Sequence, residues 1–431
     1  LADIALFAPQ LQGIQFPITL SGRVRGTVAD LKGRGLHLGF GTMSHFAGNA
    51  ELSGLPDIAN TFMVFDIARL YTTPADLANL PVPPFTSGKH LSLPAEVHRL
   101  GILDFSGNFT GFTRAFTAYG RTTTQLGILR TDISYERDTV HDMLSIAGRV
   151  VTEGFDLGPI IGTTALGPIA TNLHVKATGR SFDALQADLD GVVPMLTVNG
   201  RTITGIATNG RLERNLFNGE LSVADENLVL RFKGLADLRG RWPQVDFKAE
   251  LEHMDLYALG FVQTPGYNSL KMDLSATGRF TPDSLLGSLS ARAISYCVGA
   301  VDHELGNVVL RSGRENGRNI LELNADFANA RVEGAFQPTY LPGFIANAVY
   351  SVFPALGSEV DYHQAVQQFN FTVVTGQSDA ALALFVPKLR VAPGALISGS
   401  MDSRAFDIDL SAHIPHLAYG DLRLDTVEVI T

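Results

Sequence analysis

The stretch Val245-Asp246-Phe247-Lys248-Ala249-Glu250-Leu251 decides the fold class, because apolar and charged side chains alternate in it one for one. Successive side chains of a β-strand point to opposite faces, so this pattern predicts a strand with one dry face and one wet face. The same alternation recurs at Leu321–Phe327, where Leu, Leu, Ala and Phe alternate with Glu, Asn and Asp, and at Leu228–Lys233. The sequence therefore predicts an all-β protein.

Composition supports strands over long helices and argues against nucleic-acid binding. Among 431 residues, 43 are Gly and 20 are Pro, and both residue types disfavour helix interiors. Helix-like patterns are confined to Pro74–Leu80, Pro342–Phe353 and Asp361–Gln368. The 33 Lys and Arg residues against 43 Asp and Glu residues give a net charge of −10, which removes the usual electrostatic basis for binding phosphate backbones.

A weak repeat places glycine on the dry side of the predicted strands. Gly followed by Arg or Asn recurs at positions where mostly apolar residues stand two and four places before the Gly, so that the Gly shares the apolar side of the strand. These positions are Gly22, Gly107, Gly148, Gly179, Gly200, Gly210 and Gly278. Three further glycines share the apolar side without a following Arg, namely Gly219, Gly334 and Gly399. Glycine weakens a strand, so its recurrence there predicts either curvature of the sheet or room for an apolar group to approach. The alternative is that these glycines serve turns and bulges of an antiparallel meander.

One-faced strands must bury their dry side, either in a sandwich, in a closed barrel, in an open gutter or in a β-helix. A single sandwich holds about 100 residues, and no linker interrupts the strand pattern between Ile4 and Phe336. The sequence therefore predicts one continuous sheet, with roughly 35 to 40 strands if a strand and its turn average about 11 residues. The predicted division is a β-groove over 1–336, a helical insertion over 337–368 and a continuation of the groove over 369–431.

Residues that could carry chemistry are scattered. His413 and His416 flank Ile414-Pro415, and Asp302-His303-Glu304 would place alternate side chains on opposite faces, so neither group has the partners that a metal site needs. Cys297 stands between Tyr296 and Val298 and is expected to pack. No nucleophile elbow, phosphate-binding loop or dinucleotide fingerprint occurs. We expect no enzymatic activity, no metal and no cofactor.

Several segments resemble the TamB proteins of Bacteroidota, members of the AsmA-like, repeating-β-groove superfamily. The similarity is carried by Ser21–Leu31, Gly54–Phe62, Phe369, Phe385–Leu389, Gly399, Ile414–Leu417 and Gly420. The resemblance implies an elongated, mostly antiparallel sheet folded into a U-shaped hydrophobic groove, the β-taco, with short helical insertions. It also implies a periplasmic protein of a Gram-negative bacterium, anchored in the inner membrane by a segment outside this sequence and reaching toward the outer membrane.

The function that the resemblance implies is transport of phospholipid between the two membranes. An apolar gutter suits acyl chains on physical grounds, because each buried CH₂ contributes about 0.8 kcal/mol while a charged headgroup is costly to bury. The residues expected to line the groove are Phe16, Ile18, Leu20, Leu103, Phe105, Leu144, Ile146, Val245, Phe247, Leu251, Leu274, Leu321, Leu323, Phe327, Phe369, Phe371 and Val373. Met272, two positions before Leu274, is not included among the expected lining residues.

Other functions remain open at this point. The resemblance also implies a scaffold that guides barrel proteins to an Omp85-type partner in the outer membrane, with sheet edges as the contact. A carbohydrate-active β-helix or adhesin would require a stricter coil period and, for an enzyme, clustered carboxylates. An outer-membrane barrel would require aromatic girdles at regular spacing. Neither of the last two patterns is present in the sequence.

Overall fold

The computed structural model describes residues 18–55, 57–80, 90–91, 93, 95–181, 184–240, 242–263, 266, 268–281, 285–338, 341, 367–385, 388–404 and 407–430. Of the described residues, 72% are in strands and only 6% in helices, which confirms the predicted all-β class. By contacts, the chain divides into two units, Leu1–Arg214 and Asn215–Thr431.

The first unit contains eleven of the described strands, most of them 10 to 14 residues long. They are β1 (Ile18–Thr27), β2 (Asp30–Phe40), β3 (Ser44–Ser53), β4 (Phe62–Thr72), β5 (Leu103–Phe112), β6 (Ala115–Thr124), β7 (Gly127–Asp138), β8 (Met143–Asp156), β9 (Leu166–Gly179), β10 (Gln186–Val198) and β11 (Arg201–Glu213).

The second unit contains the other thirteen described strands. They are β12 (Leu216–Asp225), β13 (Leu228–Asp237), β14 (Gln244–Met254), β15 (Asn268–Phe280), β16 (Leu285–Val298), β17 (Val301–Glu315), β18 (Arg318–Ala325), β19 (Ala328–Ala335), β20 (Gln368–Thr375), β21 (Leu389–Val391), β22 (Leu396–Asp402), β23 (Asp407–Tyr419) and β24 (Leu422–Ile430).

The described strands form one antiparallel sheet of 24 strands that is not closed into a barrel. Within each unit consecutive strands pair with each other, except that β20 pairs with β22 while the short β21 pairs with β23. The predicted continuous antiparallel sheet is confirmed. The estimate of 35 to 40 strands was too high for the described part, because single strands reach 15 residues in β17.

The described helices are short. They are α1 (Pro74–Ala78), α2 (Ala95–Arg99), α3 (Gly158–Ile161) and α4 (Asp379–Phe385), with a 3₁₀ turn at Ile58–Asn60. Only α1 was predicted; helices of four to seven residues are too short for a helical period to stand out in the sequence. Among the described residues, no helix combines the length and apolar character needed to cross a bilayer. The predicted helix over 342–353 and most of 361–368 lie outside the described residues, and Gln368 starts β20.

A buried carboxylate ties α1 to the β2–β3 connection. Thr73 caps α1, because its hydroxyl accepts a hydrogen bond from the backbone N–H of Asp76 at 3.1 Å. The Asp76 side chain is 2% exposed and accepts bonds from the Thr42 and Met43 backbones and from the Ser44 hydroxyl, the last at 2.7 Å. Desolvation raises the pKa of Asp76, but these hydrogen bonds outweigh it and lower the pKa to about 2.

Glycine on the dry side of a strand has a definite role at Gly148. Its φ of 147° lies in a region that residues with a side chain rarely adopt, and an added Cβ would stand 1.9 Å from the Asp132 carbonyl oxygen on β7. Gly148 is opposite Ile133 and Val175, so it does share the apolar side as predicted. The neighbouring strands approach this position in a way that no larger residue permits.

Two sequence expectations about strands were wrong. Gly200, assigned to a strand, forms the tight β10–β11 turn with Asn199, and both residues have positive φ, 49° at Asn199 and 76° at Gly200. The Asn-Gly pair between alternating runs is itself the standard signal for such a turn. Phe327, expected to continue the strand that starts near Leu321, lies with Asp326 in the bend between β18 and β19. The alternating pattern runs past the end of the strand into the bend.

Candidate functional site

One face of the second unit is apolar along a cross-strand row that passes through Phe247. The row comprises Gly219, Gly234, Phe247, Ala276, Leu289, Leu310, Leu323, Ala330, Val373, Ile397 and Ala412. Each residue stands directly opposite the next on the neighbouring strand, and none carries a charge. We call the face that holds this row the second apolar face.

The row next to it, one residue along each strand, points to the other face of the sheet and is polar except for Leu235. It comprises Asn218, Leu235, Asp246, Thr277, Ser288, Arg311, Glu322, Arg331, Thr372 and Ser398. A shift of one residue inverts the faces of a strand, so the contrast between the two rows shows that register is kept from β12 to β22.

The first unit has the same division. Its apolar row comprises Val24, Gly33, Ala50, Phe65, Phe109, Ala118, Ile133, Gly148, Val175, Leu189 and Gly210, one residue from each of β1 to β11. The adjacent row from β3 onward comprises Asn49, Asp66, Asn108, Tyr119, Asp132, Arg149, His174, Asp190 and Asn209. We call the face that holds the first of these rows the first apolar face.

Aromatic rings form a ladder across the first apolar face. The ring centroids of Phe46 and Phe65 are 6.2 Å apart, and those of Phe65 and Phe109 are 5.9 Å apart. Phe116 continues the ladder at 4.8 Å from Phe109 and 5.0 Å from Tyr135. Such ring pairs contribute about 0.5–1.5 kcal/mol beyond area burial, so the ladder stabilises β3 to β7 from one side.

The second apolar face has a shorter ladder. Phe232 lies 6.0 Å from Phe217 and 5.1 Å from Phe247, measured between ring centroids. All three rings are half-buried. Gly234 stands opposite Phe247, where an added Cβ would be 2.3 Å from the Asp246 carbonyl oxygen and 2.9 Å from the Phe247 Cβ. Glycine therefore lets the backbone of the next strand approach closely.

Ion pairs occupy the opposite face. Arg211 pairs with Asp188 at 2.8 Å and Lys233 with Glu220 at 2.6 Å, all four side chains being more than half exposed. The hydrogen bond from Arg211 is the main reason that the pKa of Asp188 is lowered. Exposed pairs of this kind contribute little to stability. Their value here is to keep one face of each strand hydrated and so to fix which face is apolar.

The predicted lining residues fall into three groups. Residues on the apolar faces are Ile18, Leu20, Leu103, Phe105, Leu144, Ile146, Val245, Phe247, Leu251, Leu274, Leu321, Leu323, Phe369, Phe371 and Val373. Phe327 lies in the β18–β19 bend, and Phe16 lies outside the described residues. Among the first group, Leu144 is 2% exposed and Leu20 is 56% exposed, so solvent reaches them very differently.

Met272 is a further residue of the second apolar face, at a position where the sequence analysis names no lining residue. Met272 stands directly opposite Leu251 on β14. It precedes Leu274 by two positions in β15. It therefore belongs to the second apolar face, where it is half-buried. On the side of β16 the register shifts between Lys271 and Asp273, so Met272 lies at a bulge. Its place on the apolar face follows from the pairing with β14.

Sequence reasoning missed most of the aromatic ladder. Phe65, Phe116, Tyr135 and Phe232 were not selected, although they follow the same alternation as the chosen residues. A usable signal was present, because aromatic residues stand two positions from a dry-side glycine at Phe105, Phe109, Phe217 and Phe232. Phe105 and Phe109 flank Gly107 in this way. Taken together, these pairs predict aromatic rings that lie beside the space left by glycines on the apolar face.

Two histidines of β23 pair with carboxylates on the facing strand. His416 contacts Asp425 at 2.6 Å, and His413 lies 3.6 Å from Glu428, so each histidine has its own carboxylate on the facing strand. Within the described ranges, no three His, Cys, Asp or Glu side chains come together as a metal-binding group. The Cys297 thiol is half-buried and directed at the Gly299 carbonyl oxygen, 3.7 Å away.

No protein family, curated protein or solved structure matches the chain.

Proposed function

We propose that the two apolar faces bind the acyl chains of phospholipids and that the protein conducts these lipids between the inner and outer membranes of a Gram-negative bacterium. The single observation that carries the proposal is the uncharged cross-strand row of each unit, including Phe109 in the first and Phe247 in the second. A soluble protein with no use for such a face would cover it with a second layer.

The apolar faces expose part of their aromatic side chains, and this favours binding of acyl chains. Phe65, Phe109, Phe232 and Phe247 are only half-buried, so part of each side chain is accessible. An acyl chain on such a surface removes apolar area from water at about 25 cal/mol per Å². The charged headgroup stays hydrated if it projects beyond the face, which avoids the cost of burying it. No bond is made or broken in this role, so the protein acts as a conduit and not as an enzyme.

The resemblance to TamB proteins supplies the cellular setting of the proposal. Proteins of that family are periplasmic, are anchored in the inner membrane and are linked to an Omp85-type partner. The open antiparallel sheet with one-sided strands is consistent with the groove of that superfamily. The localisation and both membrane partners are part of the proposal.

Native mass spectrometry of protein purified without detergent tests the proposal. We expect co-purified phospholipid, and we expect Phe247→Asp to lower the bound fraction at least tenfold by placing a charge in the row. Lys248→Asp is the matched control, since the same aspartate then lies on the polar face. Protein free of lipid, after exposure to phospholipid vesicles as well, would contradict the proposal.

A scaffold for barrel proteins is the second candidate, and an exposed edge favours it. Every residue of β1 is exposed, and among the described residues β1 pairs with β2 alone. Such an edge can add a strand from another chain. This role predicts crosslinks from β1 to unfolded barrel protein that persist in Phe247→Asp, whereas the lipid role predicts loss of lipid in that variant.

A further inference from the structure

A cationic patch lies on the polar face of β1 and β2. Arg23 stands directly opposite Arg34, and Arg25 directly opposite Lys32, so two like-charged cross-strand pairs follow each other. Like charges in this arrangement repel and destabilise the strand pair. All four side chains are exposed. We call Arg23, Arg25, Lys32 and Arg34 the cationic quartet.

One carboxylate contacts the quartet directly. Glu51 on β3 contacts Arg34 and lies 3.9 Å from Lys32. Within the described part of the chain, neither Arg23 nor Arg25 forms an ion pair or a side-chain hydrogen bond. Asp30 lies two positions before Lys32 on the same face of β2, so the quartet with Glu51 and Asp30 carries a local charge of +2, the sum of four cations and two anions, in a chain whose net charge is −10. Other arginines of the polar faces, such as Arg211 and Arg231, do have carboxylate partners.

The reverse side of the same two strands is apolar and open. Leu20 is 56% exposed and Val24 is 49% exposed, and both belong to the first apolar face. The hairpin thus presents fixed positive charge on one side and accessible apolar side chains on the other. A bilayer surface that contains anionic phospholipid offers phosphate groups that complement the charged side.

We propose that the cationic quartet is a contact surface for anionic phospholipid headgroups at a membrane. Basic side chains near such a surface contribute about a factor of five each in affinity, and the effect falls off within a Debye length. The small extent of the quartet, two residues on each strand, favours a headgroup cluster over a long polyanion. This surface contact does not depend on lipid conduction along the apolar faces.

Vesicle co-sedimentation at 0.1 M salt tests the assignment. We expect the protein to bind vesicles of phosphatidylcholine with 30% phosphatidylglycerol and to bind pure phosphatidylcholine vesicles much more weakly. Removing two charges in Arg23→Gln/Arg25→Gln should weaken binding roughly thirty-fold. The matched control is Arg211→Gln/Arg231→Gln, which removes the same charge from paired sites and should change binding less than threefold.

A gain in affinity provides a second test that does not rely on loss. Glu51→Gln removes the carboxylate that contacts Arg34 and Lys32 and should tighten binding to anionic vesicles about fivefold. Equal weakening by the quartet and control variants, or no effect of Glu51→Gln, would overturn the proposal. Tighter binding to a short DNA duplex than to anionic vesicles would also overturn it, because the partner would then be a polyanion and not a membrane. Lipid capture at Phe247 is measured separately, so the two proposals fail independently.

Discussion

The ring of Phe105 on β5 lies over Gly120 on β6, so close that a Cβ added at Gly120 would stand 2.5 Å from the ring carbon Cε2. The Ser106 carbonyl oxygen would be equally near. Gly107 faces Gly120 across the strands, so two glycines leave a gap that the phenylalanine ring fills. This contact shows how glycine and aromatic residues share the first apolar face.

Gly120→Ala should therefore destabilise the protein by about 1–3 kcal/mol, because the backbone oxygen cannot move away cheaply. Gly313→Ala is the matched control, since Gly313 also lies in a strand but has open space where its Cβ would be. We expect the control to be neutral or stabilising by up to about 1 kcal/mol. Denaturant unfolding measures both, and equal effects would argue against the ring-over-glycine explanation.

Acid should weaken the protein through Asp76. Its pKa is lowered from 3.8 to about 2, so its contribution is fully present above pH 4 and is lost as the pH falls through about 2. The unfolding free energy should fall by about 2 kcal/mol over that window. Asp76→Asn should have a lower free energy of unfolding than the unsubstituted protein at pH 7, and this difference in free energy should disappear toward pH 2.

Asp421→Asn is the control for the substitution. Asp421 is exposed in the β23–β24 turn, so its replacement should leave the free energy of unfolding at pH 7 unchanged. A gap between the Asp76→Asn and unsubstituted proteins that is constant from pH 5 to pH 2 would contradict the role given to the Asp76 carboxylate.

The faces of the sheet were largely predictable, whereas its interruptions were predictable only in part. Alternation over Val245–Leu251 predicts a one-sided strand because side-chain direction has a period of two, and this is local information. The bend at Asp326–Phe327 continues the same alternation, so only the pairing of β18 with β19 reveals where the strand ends. The turn at Asn199–Gly200 could have been predicted from its residue pair.

The aromatic ladder depends on register, which the sequence of one strand does not contain. Phe65 and Phe109 are 44 positions apart and become direct neighbours only because β4 pairs with β5 in that alignment. A bulge between Ile67 and Leu70 shifts the alignment within the same strand pair. The individual dry-side residues were thus foreseeable, but their assembly into a ladder was not.

The ion pairs of the polar face should matter little to stability. Arg211→Gln should have little effect on the free energy of unfolding, since both partners are exposed. Leu144→Ala, which truncates a side chain that is 2% exposed, should cost about 2–5 kcal/mol. Thermal or denaturant unfolding compares the two, and a larger effect of Arg211→Gln would contradict the division into a supporting apolar face and a hydrated polar face.

Site-specific photo-crosslinking tests the central claim most directly. A photoreactive amino acid at Phe109 or Phe247, on the apolar faces, is compared with the same residue at Asn108 or Lys248, one position along and on the polar face. After incubation with phospholipid vesicles, we predict lipid adducts by mass spectrometry at the first two positions and at least tenfold fewer at the others. Equal labelling on both faces, or adducts to polypeptide alone, would contradict the claim that the apolar faces hold acyl chains.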